Sequence, residues 1–229
     1  MITYTDLEHE IDRGAGPEMV RDFVLTALSE ITHGQRRLCA IQHPLGFVCL
    51  PVIRDDGDGV CVHAWAAGRP IRSPTTSGMH SHSWDLLSHV LHGRVHNHII
   101  EVTDAVTDSA YRVYEVHSHG DIDEIRATPR LVGAHSRLMQ TRGIGESYRL
   151  GAGRFHCTEV DHAYSTVTVA LGHTIPGATD LSLGAVNGQS HRMRRRRCSP
   201  AETVALARWI VRLVVGGEGP TADGGTRDV

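Results

Sequence analysis

The chain has 229 residues, 40% of them hydrophobic, a formal net charge of −3 and 17 histidines. All 23 Lys/Arg positions are arginine, which excludes Schiff-base and pyridoxal chemistry, lysine-ended phosphate loops and Ser–Lys hydrolysis. The acidic balance and the lack of a G-x-S-x-G turn argue against nucleic-acid binding and against the usual serine-hydrolase elbow.

From the N-terminus, Met1 to Glu10 has no basic region followed by an apolar run, so no secretory leader is expected. No stretch approaches the roughly 18 apolar residues of a membrane span. Pro17 to Ile31 carries Val20, Phe23, Val24, Ala27, Leu28 and Ile31 at helical spacing. β-Rich segments bounded by Gly, Pro and Asp then follow over 46–53, 59–66, 96–102, 110–116, 147–150, 154–160, 165–171 and 180–186. Many short strands with turn signals between them indicate a sandwich or small barrel. Ser199-Pro200-Ala201-Glu202 reads as a capping box opening a helix that stops at Gly216-Gly217. One domain over 1–216 is expected, with a helical part over about 1–35, a barrel over about 44–190, a helix over about 199–216 and a disordered tail over 217–229.

The five cysteines, Cys39, Cys49, Cys61, Cys157 and Cys198, are odd in number and form no C-x-x-C pair. That argues against a disulfide framework and a thiolate zinc site, and suits a reducing, cytoplasmic setting.

Histidine carries the chemistry. Three H-x-H pairs stand at His80/His82, His96/His98 and His117/His119. On a strand, residues two apart share a face, so each pair can offer two imidazoles to one cation. His80-Ser81-His82 is distinguished by its context, which includes Trp84, Gly93 and, downstream, Gly151-Ala152-Gly153-Arg154-Phe155-His156. On these residues the sequence resembles the cupin superfamily, and within it the bacterial three-histidine cupins related to cysteine dioxygenase. His80, His82 and Gly93 match that superfamily's first motif. Gly153 and His156 match its second, P-x-G-x-x-H, with Gly151 in the proline's place.

The resemblance implies an all-β cupin barrel, a double-stranded β-helix with flanking helices, and a metal held by His80, His82 and His156. The superfamily's carboxylate ligand would fall on Leu86 or Leu87, neither of which binds metal. Asp85 has the wrong strand parity, because His80, His82, Trp84 and Leu86 share one face. Three neutral imidazoles would leave a divalent cation its full charge and open positions. That favours small substrates that ligate through an anion. The resemblance makes Fe(II) the expected metal, with Zn, Ni or Mn as alternatives that the imidazole set alone does not separate.

The implied activity is an iron(II) oxygenase that uses no 2-oxoglutarate. The alternatives are a redox-neutral isomerase, lyase or hydrolase, and a non-catalytic small-molecule-binding or regulatory cupin. A homodimer is expected, with no membrane and no nucleic-acid partner. Candidate substrate-pocket residues are His63, Trp84, His96, His98, Tyr148 and Arg154. Either His96, His98 or Tyr148 would have to move a proton in a redox-neutral reaction. Cys157, next to His156, is expected to point away from the metal. His117 and His119 read as a solvated loop, and residues 125–145 as a mobile lid. The run Arg192-Met193-Arg194-Arg195-Arg196-Arg197 reads as a solvated turn or a partner-facing patch.

Overall fold

The computed structural model describes residues 2–14, 17–55, 57–68, 75–104 and 110–216. Two helices, α1 (Tyr4–Arg13) and α2 (Pro17–Thr32), precede β1 (Ile41–Gln42), β2 (Val48–Arg54), β3 (Asp58–Trp65), β4 (His80–Ser81) and β5 (Trp84–His92). Then come β6 (Arg94–Asp104), β7 (Tyr111–His119), β8 (Ile122–Gly143), β9 (Ser147–Leu150) and β10 (His156–Val160). The chain continues through β11 (Thr166–Thr174), β12 (Asp180–Gly184), β13 (His191–Arg194) and β14 (Arg196–Arg197) into α3 (Pro200–Gly216). The expected tail over 217–229 lies outside the described residues. Among the described residues, no helix is long and apolar enough to cross a membrane.

The strands form two seven-stranded antiparallel sheets, in the orders β14-β1-β2-β3-β11-β5-β9 and β13-β8-β6-β10-β4-β12-β7. The first sheet is buried on both faces, and period-two alternation sorts its side chains. Val60, Val62 and Ala64 of β3, with Val167, Val169 and Leu171 of β11, pack in one core with helix residues. The helix side supplies Val24 and Leu28 of α2 and Ala207, Ile210 and Val214 of α3. Each fully buried Val, Leu or Ile contributes about 1.5–3 kcal/mol, so this layer fixes the helices against the sheet. The alternate residues, Cys61, His63 and Trp65 of β3 and Thr168, Ala170 and Gly172 of β11, line a cavity on the other side. Two antiparallel sheets around a cavity, with helices flanking one of them, make a cupin-type β-barrel, as the resemblance implied.

Caps fix the helix ends. Ser199 accepts from the Glu202 N–H at 3.2 Å while the Glu202 carboxylate accepts from the Ser199 N–H at 2.7 Å. These bonds and Arg196 hold the Glu202 carboxyl down at about 2. Thr3 and Asp6 cap α1 in the same reciprocal way, and Gly14 ends it at φ 61.

Three expectations need correction. Residues 125–145 form no lid, because β8 runs over Ile122–Gly143. Its first half pairs with β7 and its second with β6, so a neighbouring strand holds it extended along its length despite its glycines and Pro129. His117 and His119 belong to β7, not to a loop. The arginine run is not a free turn either. It forms β13 and β14, and Arg192, Arg194 and Arg196 pair with Glu124, Asp121 and Glu202. Acidic groups in and beside the adjoining strand and helix absorb the charge that the run alone displays.

The turn between β5 and β6 carries the chain from the first sheet to the second at Gly93, φ +75. A Cβ there would stand 2.6 Å from the Ser165 carbonyl oxygen. Gly93→Ala is therefore expected to cost about 2–4 kcal/mol, combining left-handed strain with a backbone clash. The urea midpoint should fall with the m-value unchanged; an unchanged midpoint would contradict the tight turn.

Candidate metal centre

His80 ends up facing His156 because β4 pairs with β10 in the register His80↔His156. His82 follows β4 at the point where the chain leaves the second sheet for β5 in the first. Three backbone bonds pin that crossing. The Ser83 N–H donates to Asp180 Oδ1 at 2.5 Å, the Gly153 N–H to the His82 carbonyl at 2.8 Å, and the Ile175 N–H to the Ser83 carbonyl at 3.0 Å. A loop residue is thereby held as firmly as a strand residue.

The three imidazoles converge. Ring centroids are 4.3 Å apart for His80–His156, 4.7 Å for His80–His82 and 5.0 Å for His82–His156. One ligand nitrogen from each lies within 4.8 Å of the other two. His80 Nδ1 lies 2.9 Å from the Gly78 carbonyl and His156 Nδ1 lies 3.3 Å from the Arg154 carbonyl. A carbonyl only accepts, so Nδ1 carries the proton in both rings and the Nε2 lone pair is left for another partner.

Protein surrounds these rings, although His80 and His82 keep some surface where they border the cavity. Burial pushes the pKa of His80 down and those of His82 and His156 well below the usual histidine value, aided in the last two by repulsion from neighbouring rings. All three are neutral, as cation ligands must be. His43 is likewise pushed well down by burial and by His63.

The cavity they face measures about 590 Å³. Trp84 stacks on His82 with centroids 4.1 Å apart and an interplanar angle of 27°. Leu86 and Ser88 continue along the same wall. Asp85 points elsewhere: its Oδ1 accepts from the Ala152 N–H at 2.7 Å. Tyr148, opposite Ser88 in the β5–β9 register, hydrogen-bonds to the hydroxyls of Ser88 and Thr158. Burial raises its phenol pKa and keeps it protonated.

Of the other pocket candidates, His63 lines the cavity and packs against Phe47, with centroids 4.4 Å apart. His96 and His98 do not line it. They lie on the far face of β6, with His96 Nδ1 2.9 Å from Thr141 Oγ1 and His98 Nε2 3.4 Å from the Glu159 carboxylate. Their inward neighbours are Asn97 and Ile99, both buried. Arg154 is exposed and also stands away from the cavity: the left-handed Gly153, φ +75, turns its side chain outward while its carbonyl reaches His156. Cys157 borders the cavity instead of pointing clear of it.

Sequence reasoning missed Arg195, which lines the cavity while Asp123 Oδ2 accepts from its Nε at 2.7 Å. It also missed a second donor cluster, Cys49, Cys61 and His63, whose ligand atoms lie within 4.8 Å of one another. The only trace of that cluster in the sequence is Cys61 two residues before His63, since Cys49 joins them through strand register.

No model of a known protein family matches the chain, and no curated protein matches it in sequence. Solved structures to which it is similar include a cupin superfamily protein from Desulfitobacterium hafniense DCB-2, at 8% identity and a TM-score of 0.33, covering 56% of this chain and 78% of that one. A second is hydroquinone 1,2-dioxygenase from Sphingomonas sp. TTNP3 with 4-hydroxybenzoate bound, at 14% identity and a TM-score of 0.32, covering 57% and 66%. A third is hydroxypropylphosphonic acid epoxidase from S. wedmorenis, at 9% identity and a TM-score of 0.33, covering 59% and 55%. At these values the likeness carries no argument about chemistry, which has to come from the cavity itself.

The depressed histidines make the metal-free protein acid-sensitive. Below about pH 6.5 the unfolded chain takes up protons that the buried rings refuse. Stability is therefore full above that value and falls as the pH drops toward the folded-state values. The urea midpoint of metal-free protein should be lower at about pH 5.5 than at about pH 7.5. His82→Gln, which cannot charge, should flatten the dependence; an equally steep slope in that variant would contradict burial of a neutral His82.

Proposed function

We propose that the chain is a mononuclear metal-dependent enzyme in which His80, His82 and His156 hold a divalent cation, iron(II) first among the candidates. The observation that carries this reading is the convergence of three neutral imidazoles, two with Nε2 left free, at the wall of a cavity of about 590 Å³. Three neutral nitrogen donors suit Fe, Zn or Ni. When bound, such a cation supplies an electrophilic centre with open positions for an anionic substrate group and, if it is iron, for dioxygen.

The chain's own residues do the rest. Gly78 and Arg154 carbonyls fix the tautomers of His80 and His156, and Trp84 fixes the plane of His82 by stacking. Trp84, Leu86 and Phe47 provide apolar wall that excludes water from the reacting group. Arg195 lines the cavity and brings positive charge to it, with its Nε and Nη2 held by the Asp123 carboxylate. The substrate is therefore a small anion that fits the cavity, and the leading activity is oxygenation without 2-oxoglutarate.

One observation supports a redox-neutral isomerase, lyase or hydrolase as a second reading. Tyr148, among the three proton-transfer candidates, lies on the cavity wall within hydrogen-bonding reach of the Ser88 and Thr158 hydroxyls.

Anaerobically purified protein should contain stoichiometric iron, lost in both His80→Ala and His156→Ala. It should consume oxygen when small carboxylates, thiols or enols are supplied. Iron retained in both variants would contradict the ligand assignment. Tyr148→Phe separates the two readings. A loss of about 10²–10⁴-fold in turnover with metal intact is expected if Tyr148 transfers the proton. A change of only a few-fold, with oxygen uptake preserved, is expected of the oxygenase.

A further inference from the structure

We infer that the cavity holds a second cation site, built from Cys49, Cys61 and His63, that takes a thiophilic divalent ion of the Zn²⁺ class. This inference is independent of what the three histidines bind. Cys49 lies opposite His63 in the β2–β3 register, and Cys61 lies two residues from His63 on the same strand face. Both thiols and the imidazole therefore point to the same side, where all three line the cavity. Their ligand atoms stand within 4.8 Å of one another. A tetrahedral zinc with bonds of about 2.0–2.3 Å needs donors roughly 3.3–3.8 Å apart, a small contraction from the observed cluster.

The surroundings are built for thiolate. Arg54 lies opposite Gly59, and its side chain crosses that glycine, where a Cβ would meet Arg54 Nη1 at 2.5 Å. From there Arg54 Nη2 donates to Cys61 Sγ at 3.3 Å. The Cys49 thiol and His63 also hydrogen-bond to Cys61. These contacts draw the Cys61 thiol down, whereas donation to Cys61 and burial push Cys49 up. Cys61, the sulfur that receives these donors, thus sits beside a second thiol and an imidazole. Binding the ion releases the Cys49 proton to solvent, along with any proton on Cys61, and changes no oxidation state. Two thiolates neutralise the ion, and Arg54 remains as a donor to bound sulfur, a supporting role common around metal thiolates. Three protein ligands leave the fourth position facing the cavity.

A disulfide is the competing fate of two close thiols, and the register disfavours it. Cys49 and Cys61 are diagonal, not directly opposed. Diagonal cross-strand Cα atoms stand about 7–8 Å apart, beyond the roughly 4.4–6.8 Å that a disulfide spans. An ion bridges that distance where a sulfur–sulfur bond does not.

Cobalt(II) is the probe. Titrated into chelator-treated, fully reduced protein, it should give a near-ultraviolet sulfur-to-cobalt charge-transfer band with intensified visible bands, and Zn²⁺ should abolish both by displacement. The band should persist in His80→Ala and vanish in Cys49→Ser and in Cys61→Ser, each of which should bind one cobalt fewer than wild type. Should a serine variant fail to fold, alkylation of the wild-type chain supplies the second reading: Zn²⁺ should protect Cys49 and Cys61, but not Cys39, from iodoacetamide. Reduced wild-type protein that binds cobalt without a thiolate band would overturn the site. So would a band that survives both serine substitutions, or thiols alkylated equally fast with and without zinc.

Discussion

Three imidazoles packed with ring centroids 4.3–5.0 Å apart cannot all be charged, and two of them commit Nδ1 to backbone carbonyls, which leaves Nε2 for another partner. Much of the surrounding structure serves to hold that arrangement. The Gly78 and Arg154 carbonyls take the Nδ1 protons, Trp84 blocks rotation of His82, and Asp180 anchors the backbone where the chain changes sheets. A divalent cation would engage all three rings together.

The barrel makes this affordable by separating two functions across one sheet. The outward faces of β3 and β11 carry Val60, Val62, Val167, Val169 and Leu171 into the helical core. The inward faces carry Cys61, His63, Thr168 and Ala170 into the cavity. Stability resides on one side of the strands and chemistry on the other, so the inward residues are freed from close packing. The same division places a donor set with two thiols and an all-imidazole set along one chamber.

Local signals made much of this legible. The H-x-H spacing pairs His80 with His82 because same-face spacing is a local property, whereas Gly93 and the G-x-x-H at 153–156 brought in His156 only through the resemblance to the cupin motifs. Strand positions emerged from alternation, and Ser147–Leu150 falls where the pattern places it. What escaped depends on pairing between distant segments. β8 looks like a loop because Gly133, Gly143 and Pro129 interrupt its pattern, yet two neighbouring strands hold it extended. Arg195 is hidden in a run of arginines, and what tells it from its neighbours is a less exposed side chain that reaches the cavity and pairs with the buried Asp123. Arg154 misled because a left-handed glycine one residue earlier reverses the direction that strand parity gives. Cys49 joins Cys61 and His63 only through the β2–β3 register, which a bulge between Pro51 and Ile53 modifies.

The most direct test of the account is a crystal structure of the metal-loaded protein with anomalous scattering collected at the edge of the bound metal. The account predicts a peak within about 2.0–2.2 Å of one nitrogen from each of His80, His82 and His156. A fully loaded crystal with no anomalous peak at that point would contradict it.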